Sequence, residues 1–66
     1  MSYTIKNAED NRKVHTRIYY FEFAIKLALE ESNKLKCALQ VINEDNNDIL
    51  CTIENNQLIF GVKHDL

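Results

Sequence analysis

Between Val14 and Leu29 the apolar residues recur at helical spacing on two stripes, and a domain this small has one core in which to bury them. The first stripe is Val14, Ile18, Phe21, Ile25, Ala28 and Leu29. The second is Thr16, Tyr20, Phe23 and Leu27, roughly 120 to 180° further round at about 100° per residue. A small sheet covers one side of such a helix. The other side then faces solvent, a second molecule, or a cover made by Tyr3 and Ile5 of the N-terminal segment.

The helix signals extend in both directions from the stripes. Asn7 is a suitable N-cap, and Glu9 and Asp10 follow where carboxylates suit the helix dipole. Asn33 suits the position just past a helix end, with Lys34 and Lys36 beside it. The expected helix is therefore residues 8–32. One segment conflicts with this: Ile18–Tyr19–Tyr20–Phe21–Glu22–Phe23 is rich in β-branched and aromatic residues and has local strand character. The continuing helical period and the lack of any turn signal from Val14 to Ser32 favour helix. A helix of about 25 residues would span roughly 37 Å. A seven-residue strand spans about 23 Å, so such a helix overhangs its sheet.

The C-terminal half alternates with period two. Leu35–Asn43, Ile49–Glu54 and Gln57–Lys63 read as three strands of an antiparallel meander. Asn55–Asn56 suits a two-residue type I′ turn, since Asn tolerates positive φ. That turn sets Ile53 opposite Leu58, Cys51 opposite Phe60 and Ile49 opposite Val62. An odd-length loop over Glu44–Asp48 pairs Val41 with Cys51 and Leu39 with Ile53, keeping every apolar residue on one face. The expected fold is α+β: one long helix packed on a three-stranded antiparallel meander, with a lead or short edge strand over residues 1–6. Residues 1–66 make one small domain, with helix at 8–32 and meander at 35–63. The expected core is Ile18, Phe21, Ile25, Leu29, Leu39, Val41, Cys51, Ile53, Leu58 and Phe60. No internal repeat, linker or low-complexity segment is legible.

At 66 residues a fold buries only about 60% of its unfolded surface, and small domains often gain support from a disulfide, a metal or a second chain. Cys37 and Cys51 stand alone, with no Cys or His at ligand spacing, so no metal, cofactor or disulfide is expected. Both thiols read as small buried hydrophobes. His15 is expected at the surface, and His64 near a frayed end. The residues after Met1–Thr4 form no apolar run, so neither a signal peptide nor a membrane span is expected, and a reducing cytoplasm is the default compartment. Abundant Asn, Ile and Lys, no Pro, and Gly61 as the only glycine track AT-rich codons, as in low-GC bacteria, their phages and their mobile elements.

No nucleophile–base set, paired carboxylates or phosphate-cradling glycine loop can be assembled, so no enzyme is expected. The surplus stripe points instead to a protein–protein interaction module, a homodimer or a binder of a larger host protein. An inhibitor of anti-defence or antitoxin type fits the size and composition. Tyr19, Tyr20, Phe23 and Leu27 are the expected contact residues, with Glu44, Asp45 and Asp48 as a polar rim that suits a basic partner surface. The loop Glu44–Asp48 lacks the glycine and distal Glu of a calcium loop. The alternative is a small nucleic-acid-binding or transcription-regulating protein using the basic N-terminal part of the helix, with Lys6, Arg12, Lys13 and Arg17. Glu9 and Asp10 interrupt that cluster, and the net charge of −2 gives no overall pull toward polyanions.

Overall fold

A computed structural model describes the backbone of residues 1–63 and the side chains of residues 1–60; His64 lies outside the described residues. The elements run β1 (Tyr3–Asn7), β2 (Lys13–Ile18), α1 (Phe21–Leu35), β3 (Leu39–Asn43), β4 (Ile49–Glu54) and β5 (Gln57–Lys63). The five strands form one antiparallel sheet in the order β2-β1-β3-β4-β5. The α+β class stands as expected. The strand count and the helix boundaries do not.

The expected helix at 8–32 begins thirteen residues too early. The oxygen of the Asn7 side chain does accept the backbone N–H of Glu9 at 2.8 Å and of Asp10 at 3.4 Å. This is the bond an N-cap makes, but here it stabilises an Asx-type turn. Asn11 then enters the left-handed region at φ 61, and the chain doubles back. Val14 and Ile18 face the core as expected, but from a strand: Ile18 is buried and Val14 packs against the core cluster. The segment Ile18–Phe23 divides between two elements, with Ile18 ending β2 and Phe21 opening α1. Residues 3–7 are likewise no edge strand. β1 is bonded on both sides, to β2 and to β3, and Ile5 is fully buried.

The helix lays its smallest residues on the sheet. Ala24, Ala28 and Ser32, four apart, are its buried residues and let its axis approach closely. Phe21, Ile25, Leu27 and Leu29 pack around that ridge. Phe21 meets Tyr3 of β1 with ring centroids 5.4 Å apart, fixing the start of the helix over the sheet. At the other end Lys36, at φ 56, donates its N–H to the Ser32 carbonyl at 2.9 Å, a left-handed cap of the kind expected three residues earlier at Asn33. Leu35 therefore ends the helix, and β3 starts at Leu39 where a strand from Leu35 was expected.

The meander itself follows the sequence reading. Strands β4 and β5 have the expected bounds, and Val41–Cys51, Leu39–Ile53, Cys51–Phe60 and Ile53–Leu58 are cross-strand pairs. Asn55 and Asn56 have φ 52 and 62, as a type I′ turn requires. Ile49 pairs with Lys63 where Val62 was expected, because the ladder shifts by one residue after Cys51–Phe60. Phe60, expected in the core, is exposed, because α1 lies over β1, β2, β3 and β4 and stops short of β5. Among the described residues the fully buried ones are Ile5, Ala24, Ala28, Leu39, Val41, Cys51 and Ile53.

The structure also contains a repeat that the sequence conceals. Adding 36 to each number of the β1–β2 hairpin gives the β3–β4 hairpin: Ile5–His15 becomes Val41–Cys51, and Lys6–Lys13 becomes Ile42–Ile49. The loop bonds repeat in the same way. Asn7 N–H to the Arg12 carbonyl (2.8 Å) matches Asn43 N–H to that of Asp48 (2.9 Å), and Asn11 N–H to the Asn7 carbonyl (3.0 Å) matches Asn47 N–H to that of Asn43 (2.8 Å). Ala8 N–H to the Ala38 carbonyl and Glu44 N–H to the Ser2 carbonyl, both 3.0 Å, exchange under the same shift. The four strands therefore obey a local two-fold axis through the Ile5–Val41 pair of β1 and β3.

Candidate functional site

Three exposed aromatic residues gather where β2 hands over to α1. Arg17 sits at φ 57, Ile18 turns inward, and Tyr19 and Tyr20 bridge to the helix, Tyr20 in extended backbone. Tyr20 is the N-cap residue but makes no side-chain cap bond. Tyr19 is 67% exposed, Tyr20 76% and Phe23 55%. Leu27, one turn on from Phe23, is half-buried against the core, so only its outer edge extends the patch.

The β3–β4 loop lies at the same end of the sheet. Ile18 pairs with Tyr3, and Tyr3 pairs with Asn43, so the end of β2 and the start of that loop are separated by the width of β1. The carboxylate of Glu44 joins them directly. One oxygen, Oε2, accepts the Arg17 backbone N–H at 2.9 Å and the Thr4 hydroxyl at 2.8 Å. The Arg17 N–H first, then the Thr4 hydroxyl, hold the Glu44 pKa below its ordinary value. Glu44 is therefore a clamp between loop and strand. Of the expected rim, Asp45 is exposed and Asp48 half-buried.

The basic residues expected at the N-terminal part of the helix lie instead on β1, β2 and the loop between them, and they divide. Lys6, Lys13 and Arg17 line one open cavity of about 460 Å³ with Thr4, Thr16, Ile42, Glu44 and Asn47. Lys6 and Lys13 are direct cross-strand neighbours, an arrangement that ordinarily repels. Arg12 is exposed in the β1–β2 loop and does not line this cavity. A second cavity, about 430 Å³, opens at the opposite end and includes Glu9, Ser32, Lys36, Cys37, Glu54 and Asn55 in its walls. Cys37 and Cys51 are free thiols, and burial pushes the Cys51 thiol above its ordinary pKa.

A side-chain contact ties helix to strand: His15 Nε2 lies 3.7 Å from Glu31 Oε1. No group of three or more metal-ligating side chains occurs among the described residues. No helix among them is long and apolar enough to cross a membrane. Comparison with known protein families, characterised proteins and solved structures finds no match.

Sequence reasoning found the aromatic set but missed the β5 edge, where Ile59 and Phe60 are exposed on opposite faces. The available signal was the uncharged run Gln57–Val62 at the end of a meander, the place where a sheet edge falls.

Proposed function

We propose that this chain is a non-enzymatic protein-binding module that captures a protein partner through Tyr19, Tyr20 and Phe23, with Leu27 at the shoulder. The exposure of three large aromatics around one strand–helix junction carries this reading. Aromatic residues supply much of the energy at protein interfaces because they bury large areas with few rotatable bonds. Asp45, with the outer side of Asp48, gives the patch an acidic border that suits a basic rim on the partner. The size, acidity and composition fit an inhibitor that occupies a surface of a larger host protein. Its action is then stoichiometric, without turnover.

Capture from the source lysate, with the wild-type protein beside Phe23→Asp and Tyr20→Ala, tests this reading. Each substitution is expected to weaken capture by about 2 kcal/mol or more while the far-UV spectrum stays unchanged. Titration against the captured partner is expected to saturate near an integer ratio. Unchanged capture by both variants, or turnover of a substrate at sub-stoichiometric protein, defeats it.

The cross-strand Lys6–Lys13 pair favours a second reading, contact with a nucleic-acid backbone on the helix-free face. Phosphates would relieve the repulsion between the two ammonium groups. Mobility shifts that vanish between low and moderate salt, and that are lost in Lys13→Ala with Arg17→Ala, would promote it. Migration unaffected by the protein at low salt removes it.

A further inference from the structure

The two edges of the sheet are built differently. On β2 the register slips twice, once at Val14 and once between His15 and Ile18. The second slip has no counterpart in β4, where Cys51 and Ile53 pair regularly with Val41 and Leu39. The extra residue is Arg17, held at φ 57. Two bulges and the charges of Lys13 and Arg17 spoil this edge as a template for another strand.

β5 has no such guard along its first half. From Gln57 to Phe60 its ladder with β4 is regular, and no side chain from Gln57 to Val62 is charged. Ile59 is 50% exposed on the helix-free face and Phe60 61% exposed on the helix side. The two-residue turn makes Glu54–Gln57 a hydrogen-bonded pair, so Gln57 and Ile59 bond inward to β4. Leu58 and Phe60 then turn their N–H and C=O groups outward, beyond the last strand.

We propose that β5 pairs antiparallel with β5 of a second copy, Leu58 opposite Phe60 and Ile59 opposite its own equivalent. The strand is self-complementary in that register. Both outward-facing residues meet each other in hydrogen-bonded pairs, both exposed apolar side chains gain a cross-strand neighbour, and no like charges oppose. The interface is one short ladder, well under the roughly 800 Å² per copy of a standard stable interface. It is therefore a dissociating dimer with a Kd on the order of 100 µM. Both aromatic junctions stay free, so the dimer presents two copies of the partner-binding patch.

Sedimentation equilibrium and amide exchange on the full-length protein, at ~20 µM and ~1 mM, test the pairing. The average mass is expected to rise from 7.7 kDa toward twice that value. The Leu58 and Phe60 amides are expected to exchange at least several-fold more slowly at the higher concentration. That readout needs no substitution. Ile59→Lys is expected to stay monomeric with an unchanged far-UV spectrum, and Phe23→Asp to associate like the wild type. A monomer at ~1 mM with fast-exchanging Leu58 and Phe60 amides overturns the proposal. So does growth beyond a dimer with protection on β2, or association that survives Ile59→Lys and is lost in Phe23→Asp. Loss of partner capture in Phe23→Asp with self-association intact separates this proposal from the protein-binding reading.

Discussion

The β1–β2 and β3–β4 hairpins share a turn, a register and a bulge, yet they end differently. After β4 the chain makes the Asn55–Asn56 turn and adds another strand. After β2 the additional residue Arg17 throws the backbone out of register, and the chain leaves the sheet as Tyr19–Tyr20 and α1. One inserted residue thus separates a hairpin that is extended from one that is closed off. It also produces the junction on which Tyr19, Tyr20 and Phe23 stand exposed.

The largest expected effect tests whether β1 is as deeply built in as β3. Ile5 and Leu39 are both fully buried, one in each hairpin. Ile5→Ala and Leu39→Ala are each expected to cost about 2–5 kcal/mol in urea unfolding, enough to unfold most of a domain this small. A cost below about 1 kcal/mol for Ile5→Ala would break the equivalence of the hairpins. Next come the left-handed asparagines. Asn11→Ala and Asn47→Ala are each expected to cost about 1–2 kcal/mol, alike within a few tenths, because alanine tolerates positive φ poorly. Unequal losses would show that only one loop has the geometry described.

Much of the second hairpin was legible in the sequence, and almost none of the first. Both loops begin and end with Asn, at Asn7 and Asn11 and at Asn43 and Asn47. Around Asn43 the flanking residues alternate, so the loop reads as a turn. Around Asn7 the following Glu9 and Asp10 mimic a helix start, because an N-cap and an Asx turn use the same side-chain bond. Val14 and Ile18 then fall four apart and extend the period of the true helix backwards. Of the paired positions, only Asn7/Asn43, Asn11/Asn47, Thr16/Thr52 and, across the insertion at Arg17, Ile18/Ile53 keep the same residue, which hides the repeat. Ala24 and Ala28 were undervalued as core because burial of a helix was sought in its larger side chains. In the aromatic site Tyr19, Tyr20 and Phe23 were legible as surplus apolar surface. The clamp by Glu44 was not, because its hydrogen bonds join residues 27 and 40 apart in sequence, brought together only by the pairing of β1 with β2 and β3.

Smaller effects sharpen the contrast at the ends of the hairpins. Arg17→Gly relieves a left-handed conformation that a side chain disfavours and keeps the N–H that Glu44 accepts. It is expected to be neutral or to stabilise by up to about 1 kcal/mol, whereas glycine in a regular strand destabilises. A clear loss of stability would contradict the assigned backbone. Glu44 has Ala8 as its counterpart, so its titration belongs to one hairpin alone. Its folded pKa is lowered, so its stabilisation is complete above the ordinary value of 4.5 and is lost as pH falls through the folded pKa. Glu44→Gln is expected to remove that part of the acid sensitivity, read as a flatter dependence of the unfolding midpoint below pH 4.5. An unchanged acid profile would show that the carboxylate is not clamped.

The equivalence of the hairpins is tested most directly by nuclear Overhauser contacts in a labelled sample. The account predicts cross-strand contacts between Ile5 and His15 as plain as those between Val41 and Cys51, and a positive-φ coupling at Arg17. Sequential amide–amide contacts running unbroken from Lys13 to Phe21, the mark of one continuous helix, would contradict it.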